Sequence, residues 1–162
     1  MRAALDERVT LAIAKAPGEY LAVVDDLEPF LDVFAISRRT MLDWLYDETP
    51  LLTVYYVDGV CAGVLGLLLH RKSAEVHGAI LPEYTKTDLS ETMSSNAMRA
   101  ARVLGYARMT AKVPTGNKGA LGWVRINGFK RSPRKDDGYQ VYVKDLEPIG
   151  LVPEIQARKA AA

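Results

Sequence analysis

Glu75 and His77 stand two residues apart in SAEVHGAIL (73–81), an alternating stretch that reads as a strand. Period two puts both on one face, where a carboxylate and an imidazole together can take a proton from an amine. The plainer reading of the pair is a strand-surface Glu beside a hydrogen-bonded His. A second group is cationic: Lys118, Arg125, Lys130, Arg131, Arg134 and Lys135 succeed one another with no acid between them. Such a run is either a solvated face offset by Asp136 and Asp137 or a contact for an anion or a protein partner. With Trp123 and Phe129 interleaved, it also admits a contact with single-stranded nucleic acid. Other chemistries lack their residues. No His or Cys pair stands at ligand spacing, so no metal site is expected, and Cys61, inside an apolar run, reads as a small core residue. No phosphate-loop lysine motif, nucleophile elbow or nucleic-acid signature is present.

The chain that must position these groups has 162 residues, 49% of them hydrophobic and 25% charged. That is the composition of a single globular domain able to bury about 70% of its extended-chain surface. The longest apolar run, Val60 to Leu69, is about half the length of a membrane span. It stops at His70-Arg71-Lys72, so a buried strand and no membrane contact are expected. MRAALDERVT has no apolar signal core and one cysteine makes no internal disulfide, so the chain is read as intracellular. A net charge of +1 disfavours duplex nucleic acid. The sign is unevenly placed: residues 1–60 hold 5 Lys or Arg against 11 Asp or Glu, and 61–162 hold 16 against 9. An acidic first half and a basic second half suit docking on a protein partner or head-to-tail on another copy.

Hydrophobic period and turn residues set out the elements. RVTLAIA (8–14) reads as a strand broken by Pro17-Gly18. A helical stretch through Leu21, Val24, Leu27, Leu31 and Phe34 follows, kinked near Pro29. Ser37 caps a helix through Met41, Leu42, Trp44 and Leu45, ending near Asp47 to Pro50. Leu51 to Val57 and Val60 to His70 form a hairpin about Asp58-Gly59, with Gly63 and Gly66 marking a bulge or close backbone approach. After the 73–81 strand, Leu89, Met93, Ala97, Ala101 and Leu104 make a helix stripe closed by Gly105. A strand at 107–113, a short helix at 117–127 and a hairpin of 129–132 with 139–143 complete the order. Residues 147–162 form a tail with no core of its own, either loose or laid on a partner.

Two local patterns sharpen this order. Asn117 to Phe129 reads Asn-x-x-Ala, seven residues, Gly-Phe, and Leu81-Pro82-Glu83-Tyr84 leads from a strand into the long helix. With the element order, they resemble the GNAT superfamily of acetyl-CoA-dependent N-acetyltransferases over roughly residues 8–145. The resemblance implies an α/β (α+β) fold: one domain over 1–146, with a mixed, mostly antiparallel sheet of about seven strands flanked by about four helices.

In active GNAT proteins the loop after this step reads Gln or Arg, two residues, Gly, one residue, Gly or Ala, so that backbone amides approach the CoA pyrophosphate. Here it is Thr85-Lys86-Thr87-Asp88-Leu89-Ser90, with Thr85 at the basic or amide position and Asp88 and Ser90 in place of the glycines. Asp88 and Glu91 are spaced as a capping box, which sets two carboxylates where the anion would lie. The tyrosine that protonates the leaving thiolate in many members aligns with Val124, which has no proton to give; Tyr84 and Tyr139 are possible substitutes.

Two readings follow. In the first the fold has lost catalysis and serves as a structural or interaction protein. It is then similar to the degenerate GNAT-like domains of tailed-phage virion proteins, placed in a host cytoplasm or virion. No cofactor is expected, and Arg125, Lys130, Arg131, Arg134 and Lys135 are its contact residues. In the second the chain transfers acetyl from acetyl-CoA to a small amine or a protein amine. Glu75 or His77 is then the base, and Thr85, Lys86, Asp88, Ser90 and Asn117 lie at the cofactor. Lys86, Lys118 and Arg125 offer phosphate contacts through their side chains.

Overall fold

The computed structural model describes residues 9–85 and 87–149; Lys86 and the expected tail beyond Ile149 lie outside the described residues. The strands are β1 (Val9–Ala14), β2 (Leu51–Val57), β3 (Val60–Leu69), β4 (Ala74–Ile80), β5 (Arg108–Pro114), β6 (Lys130–Asp136) and β7 (Tyr139–Asp145). The helices are α1 (Pro17–Val23), α2 (Phe30–Phe34), α3 (Arg38–Glu48), α4 (Leu89–Val103) and α5 (Lys118–Ile126). One seven-stranded sheet runs in the order β1-β2-β3-β4-β5-β7-β6, mostly antiparallel, with β4 and β5 parallel. The stretch expected as one helix kinked near Pro29 is α1, a 3-10 turn at Val24–Leu27 and α2, because Pro29 has no N–H to continue a helix. Five helices therefore stand where about four were expected. No described helix is long and apolar enough to cross a membrane.

Two compact units divide the chain. The first runs up to Leu68 and includes Gly78–Met93. Its core gathers Tyr20, Leu27, Phe30, Leu45, Leu52 and Val54, all at most 2% exposed. Ser37 opens α3 by accepting from Thr40 N–H at 3.1 Å, as its residue type suggests. The β2–β3 hairpin turns on Asp58 (φ 50) and Gly59 (φ 78), two left-handed residues whose twist matches the strands. The register slips between Tyr55 and Tyr56, which face Gly63 and Cys61. Ala62, skipped by the bulge, accepts from Leu81 N–H at 2.9 Å and so anchors the chain leaving β4. Gly66 is a place of close approach, since a Cβ there would lie 2.9 Å from the Trp44 ring. Burial pushes the half-buried Cys61 thiol up to about 11, which suits a packing residue and not a nucleophile.

The second unit comprises Leu69–His77 and the chain from Ser94 onward. Alternation along β5 buries Met109, Ala111 and Val113 and leaves Arg108, Thr110 and Lys112 on the opposite face. Gly105 (φ 82) ends α4 in the left-handed cap its sequence calls for. The beginning of the expected tail is tied down: Arg102 donates from Nε to Glu147 O at 2.9 Å and accepts from Ile149 N–H at 3.0 Å.

Candidate active site

The geometry of the second unit centres on Glu75. Parallel pairing of β4 with β5 sets Glu75 opposite Thr110 and leaves the carboxylate only 7% exposed. His77, on the same strand face, meets Glu75 Oε1 through Nε2 at 2.8 Å. His70 meets Oε2 through its own Nε2 at 3.0 Å. A tight turn brings His70 there: its N–H donates to Ser73 O at 3.0 Å, and its carbonyl accepts from the Tyr106 hydroxyl at 2.8 Å. Lys112, two residues beyond Thr110 on β5, reaches Glu75 Oε1 at 3.8 Å and Asp136 at 3.1 Å, and Arg134 joins Asp136 at 3.5 Å.

Burial alone would raise the Glu75 pKa. The hydrogen bond and charge of His77, the charge of Lys112 and the hydrogen bond from His70 outweigh it and hold the group at about 2. Glu75 is therefore an anion throughout the neutral range, and a carboxylate accepts only. Each imidazole must present an Nε2–H to it, which places the lone pair of a neutral ring on Nδ1. The arrangement fixes the tautomer and orientation of two histidines around one buried charge. The Glu75 and His77 pair was readable from period two. His70 and Lys112 were not singled out from the sequence. The one available signal for His70 is its place at the end of the apolar run, just before the Arg71-Lys72-Ser73 turn that folds the chain back into β4.

The loop expected at a cofactor lies in the first unit. Pro82–Tyr84 is a 3-10 turn, and the next amides bond locally: Thr85 N–H to Pro82 O at 3.4 Å and Thr87 N–H to Tyr84 O at 3.2 Å. The Leu89 amide at the start of α4 donates to Thr87 Oγ1 at 3.3 Å. The Asp88 carbonyl accepts from Thr92 N–H at 3.0 Å. The positive end of a 15-residue helix with Thr85, Thr87 and Ser90 about it fits a pyrophosphate, and Asp88 opposes one. Lys86 lies outside the described residues.

The remaining expected residues belong to the second unit. Asn117 accepts from Ala120 N–H through Oδ1 at 3.0 Å and is the cap of α5. Val124 is 1% exposed, a core residue of that helix. Arg125 is exposed on α5, whereas Lys130, Arg131, Arg134 and Lys135 fall on β6, the strand at one end of the sheet order. Cations and Pro133 on a bare edge deter pairing with another sheet, which supplies a structural reason for the run.

The chain is similar in structure to an acetyltransferase from Streptococcus agalactiae (TM-score 0.68, 18% identity, 86% of this chain and 99% of that one). It also matches the GNAT domain of S. lividans PAT (TM-score 0.68, 13% identity, 85% and 90%). A third match is a PaiA N-acetyltransferase from Thermoplasma acidophilum in complex with coenzyme A (TM-score 0.63, 18% identity, 84% and 99%). The chain has the GNAT fold. No protein-family model and no curated protein matches the sequence. The GNAT fold accounts for the element order, the strand-to-helix step at Leu81–Tyr84 and the Asn117-capped helix, all of which lie where the resemblance put them.

Proposed function

We propose that this chain is an acetyl-CoA-dependent N-acetyltransferase acting on an amine. The observation that carries the reading is the buried Glu75 carboxylate with the His77 imidazole at 2.8 Å, set on β4 of a GNAT fold. A carboxylate held at about 2 is too weak a base for an ammonium, so Glu75 is the positioning residue and His77 takes the proton. Acetyl-CoA, when bound, supplies a thioester whose acyl carbon accepts the amine nitrogen as the C–S bond breaks and the thiolate leaves to take a proton from water. Water replaces a tyrosine there because Val124 has none to offer. The resemblance assigns Thr85, Lys86, Asp88, Ser90 and Asn117 to the cofactor. The coenzyme A held by the Thermoplasma acetyltransferase supports acetyl-CoA as the donor.

A second reading is a non-catalytic assembly component of the virion type, whose acidic first half docks on the basic second half of another copy. It is favoured by Val124, buried at the position of the proton donor, and by Asp88 at the start of α4. Calorimetric titration with acetyl-CoA and CoA, followed by thiol release over an amine panel, tests both. Micromolar binding and turnover, lost in His77→Gln with binding retained, are expected of the enzyme. Absence of binding at millimolar ligand, with concentration-dependent association that salt dissolves, would replace it with the second reading.

A further inference from the structure

The face of the second unit that carries Glu75 continues into an open hollow of about 420 Å³. Thr110, on its wall, is the register partner of Glu75. Arg134, on its rim, is bonded to Asp136, which in turn holds Lys112 against Glu75. The hollow and the Glu75–His77 pair are thus linked through Thr110 and through Arg134, Asp136 and Lys112, all of them within the second unit.

The lining has a definite sign. Of its three cations, Arg108 engages Asp145 at 3.2 Å and Arg134 pairs with Asp136 at 3.5 Å, which leaves Lys72. Among the described residues no carboxylate lies within ion-pair distance of Lys72. Ser73, Thr110 and Ser132 add hydroxyl groups between the cations, and Val141 and Val143 make an apolar floor. Three cations interleaved with hydroxyls, one positive charge in excess of their two carboxylate partners, suit a carboxylate or phosphate and repel a simple ammonium ion. An amine alone is a poor occupant of such a surface. An amine joined to an anion is a good one, because its charged end is held while its nitrogen is presented to a base.

We infer, resting on the acetyltransferase reading above, that the acceptor is an amine that also bears a carboxylate or phosphate. Its anionic group is held by Lys72, Arg108 and Arg134, and its nitrogen is directed to His77. The hollow selects against plain alkyl amines and polyamines, which bring only positive charge.

The test uses the full chain without acetyl-CoA, so that it does not depend on turnover. O-phosphoethanolamine is titrated against ethanolamine, and β-alanine against propylamine, following the amide resonances of Arg108, Thr110 and Ser132 by NMR. At least one anion-bearing probe is expected to bind about ten-fold or more tighter than its simple-amine partner at low salt, with the advantage shrinking as salt rises. Which of the two does so separates a phosphate acceptor from a carboxylate acceptor. The Lys72→Gln/Arg134→Gln double variant, checked for native circular dichroism, should lose that preference. Equal binding of the anion-bearing and simple-amine probes, or a preference that survives the double variant, overturns the inference. Acetyl transfer to propylamine with no anion preference overturns it alone, whereas an anion preference without any acetyl transfer overturns only the acetyltransferase reading.

Discussion

Removing the Glu75 charge should erase a defined part of the acid sensitivity of this fold. The folded carboxyl sits at about 2 against an ordinary 4.5, and it is 7% exposed, while solvent reaches the His70, His77 and Lys112 side chains around it. A depressed carboxyl favours the folded state fully above 4.5, and that contribution is lost as pH falls through the folded value. Each pKa unit corresponds to about 1.4 kcal/mol, which places the contribution of Glu75 at about 3 kcal/mol between the two limits. Part of this comes from charged imidazoles. Guanidinium unfolding of wild type and Glu75→Gln, repeated from pH 2 to pH 6, measures the difference. Wild-type stability should fall by about 3 kcal/mol more than that of the variant across the window from 4.5 down to 2. Parallel curves for the two proteins would refute the reasoning, because they would mean that the carboxyl has the same proton affinity folded and unfolded.

Two further substitutions test the remaining geometry. Asp88→Gly removes a carboxylate from the start of α4 and should tighten CoA binding by up to about ten-fold at low salt, at a stability cost of a few tenths of a kcal/mol. Calorimetry showing unchanged CoA affinity at every salt concentration would mean that Asp88 does not oppose the anion. Gly66→Ala places a Cβ 2.9 Å from the rigid Trp44 ring and should destabilise the first unit by about 1–3 kcal/mol. A melting temperature equal to that of wild type would show that the indole has room to move.

How far the sequence reached differs between scaffold and site. Ser37, Asp58-Gly59 and Gly105 each announced a helix cap or turn where the structure has one. The Pro29 break became a 3-10 turn and a separate helix because the missing N–H interrupts the bonding ladder. At the loop expected to meet a cofactor, the Leu89 amide finds the Thr87 hydroxyl, a bond that the capping-box spacing of Asp88 and Glu91 does not announce, since the turn from Pro82 to Tyr84 brings that side chain within reach. Glu75 and His77 were found together because both sit on one strand, within a period that the sequence displays.

Local spacing determined by itself the order of strands and helices and the turns that join them, because these depend on residues within a few positions of one another. Tertiary structure alone decided what surrounds Glu75. Lys112 arrives from beyond α4 through the parallel pairing of β4 with β5, and Asp136 arrives through β6. It likewise turned an unbroken run of cations into an edge strand and brought Arg134 together with Lys72 and Arg108 around one hollow. Charge and burial act through space, and the strand order that sets those distances leaves no period in the sequence from which to read them.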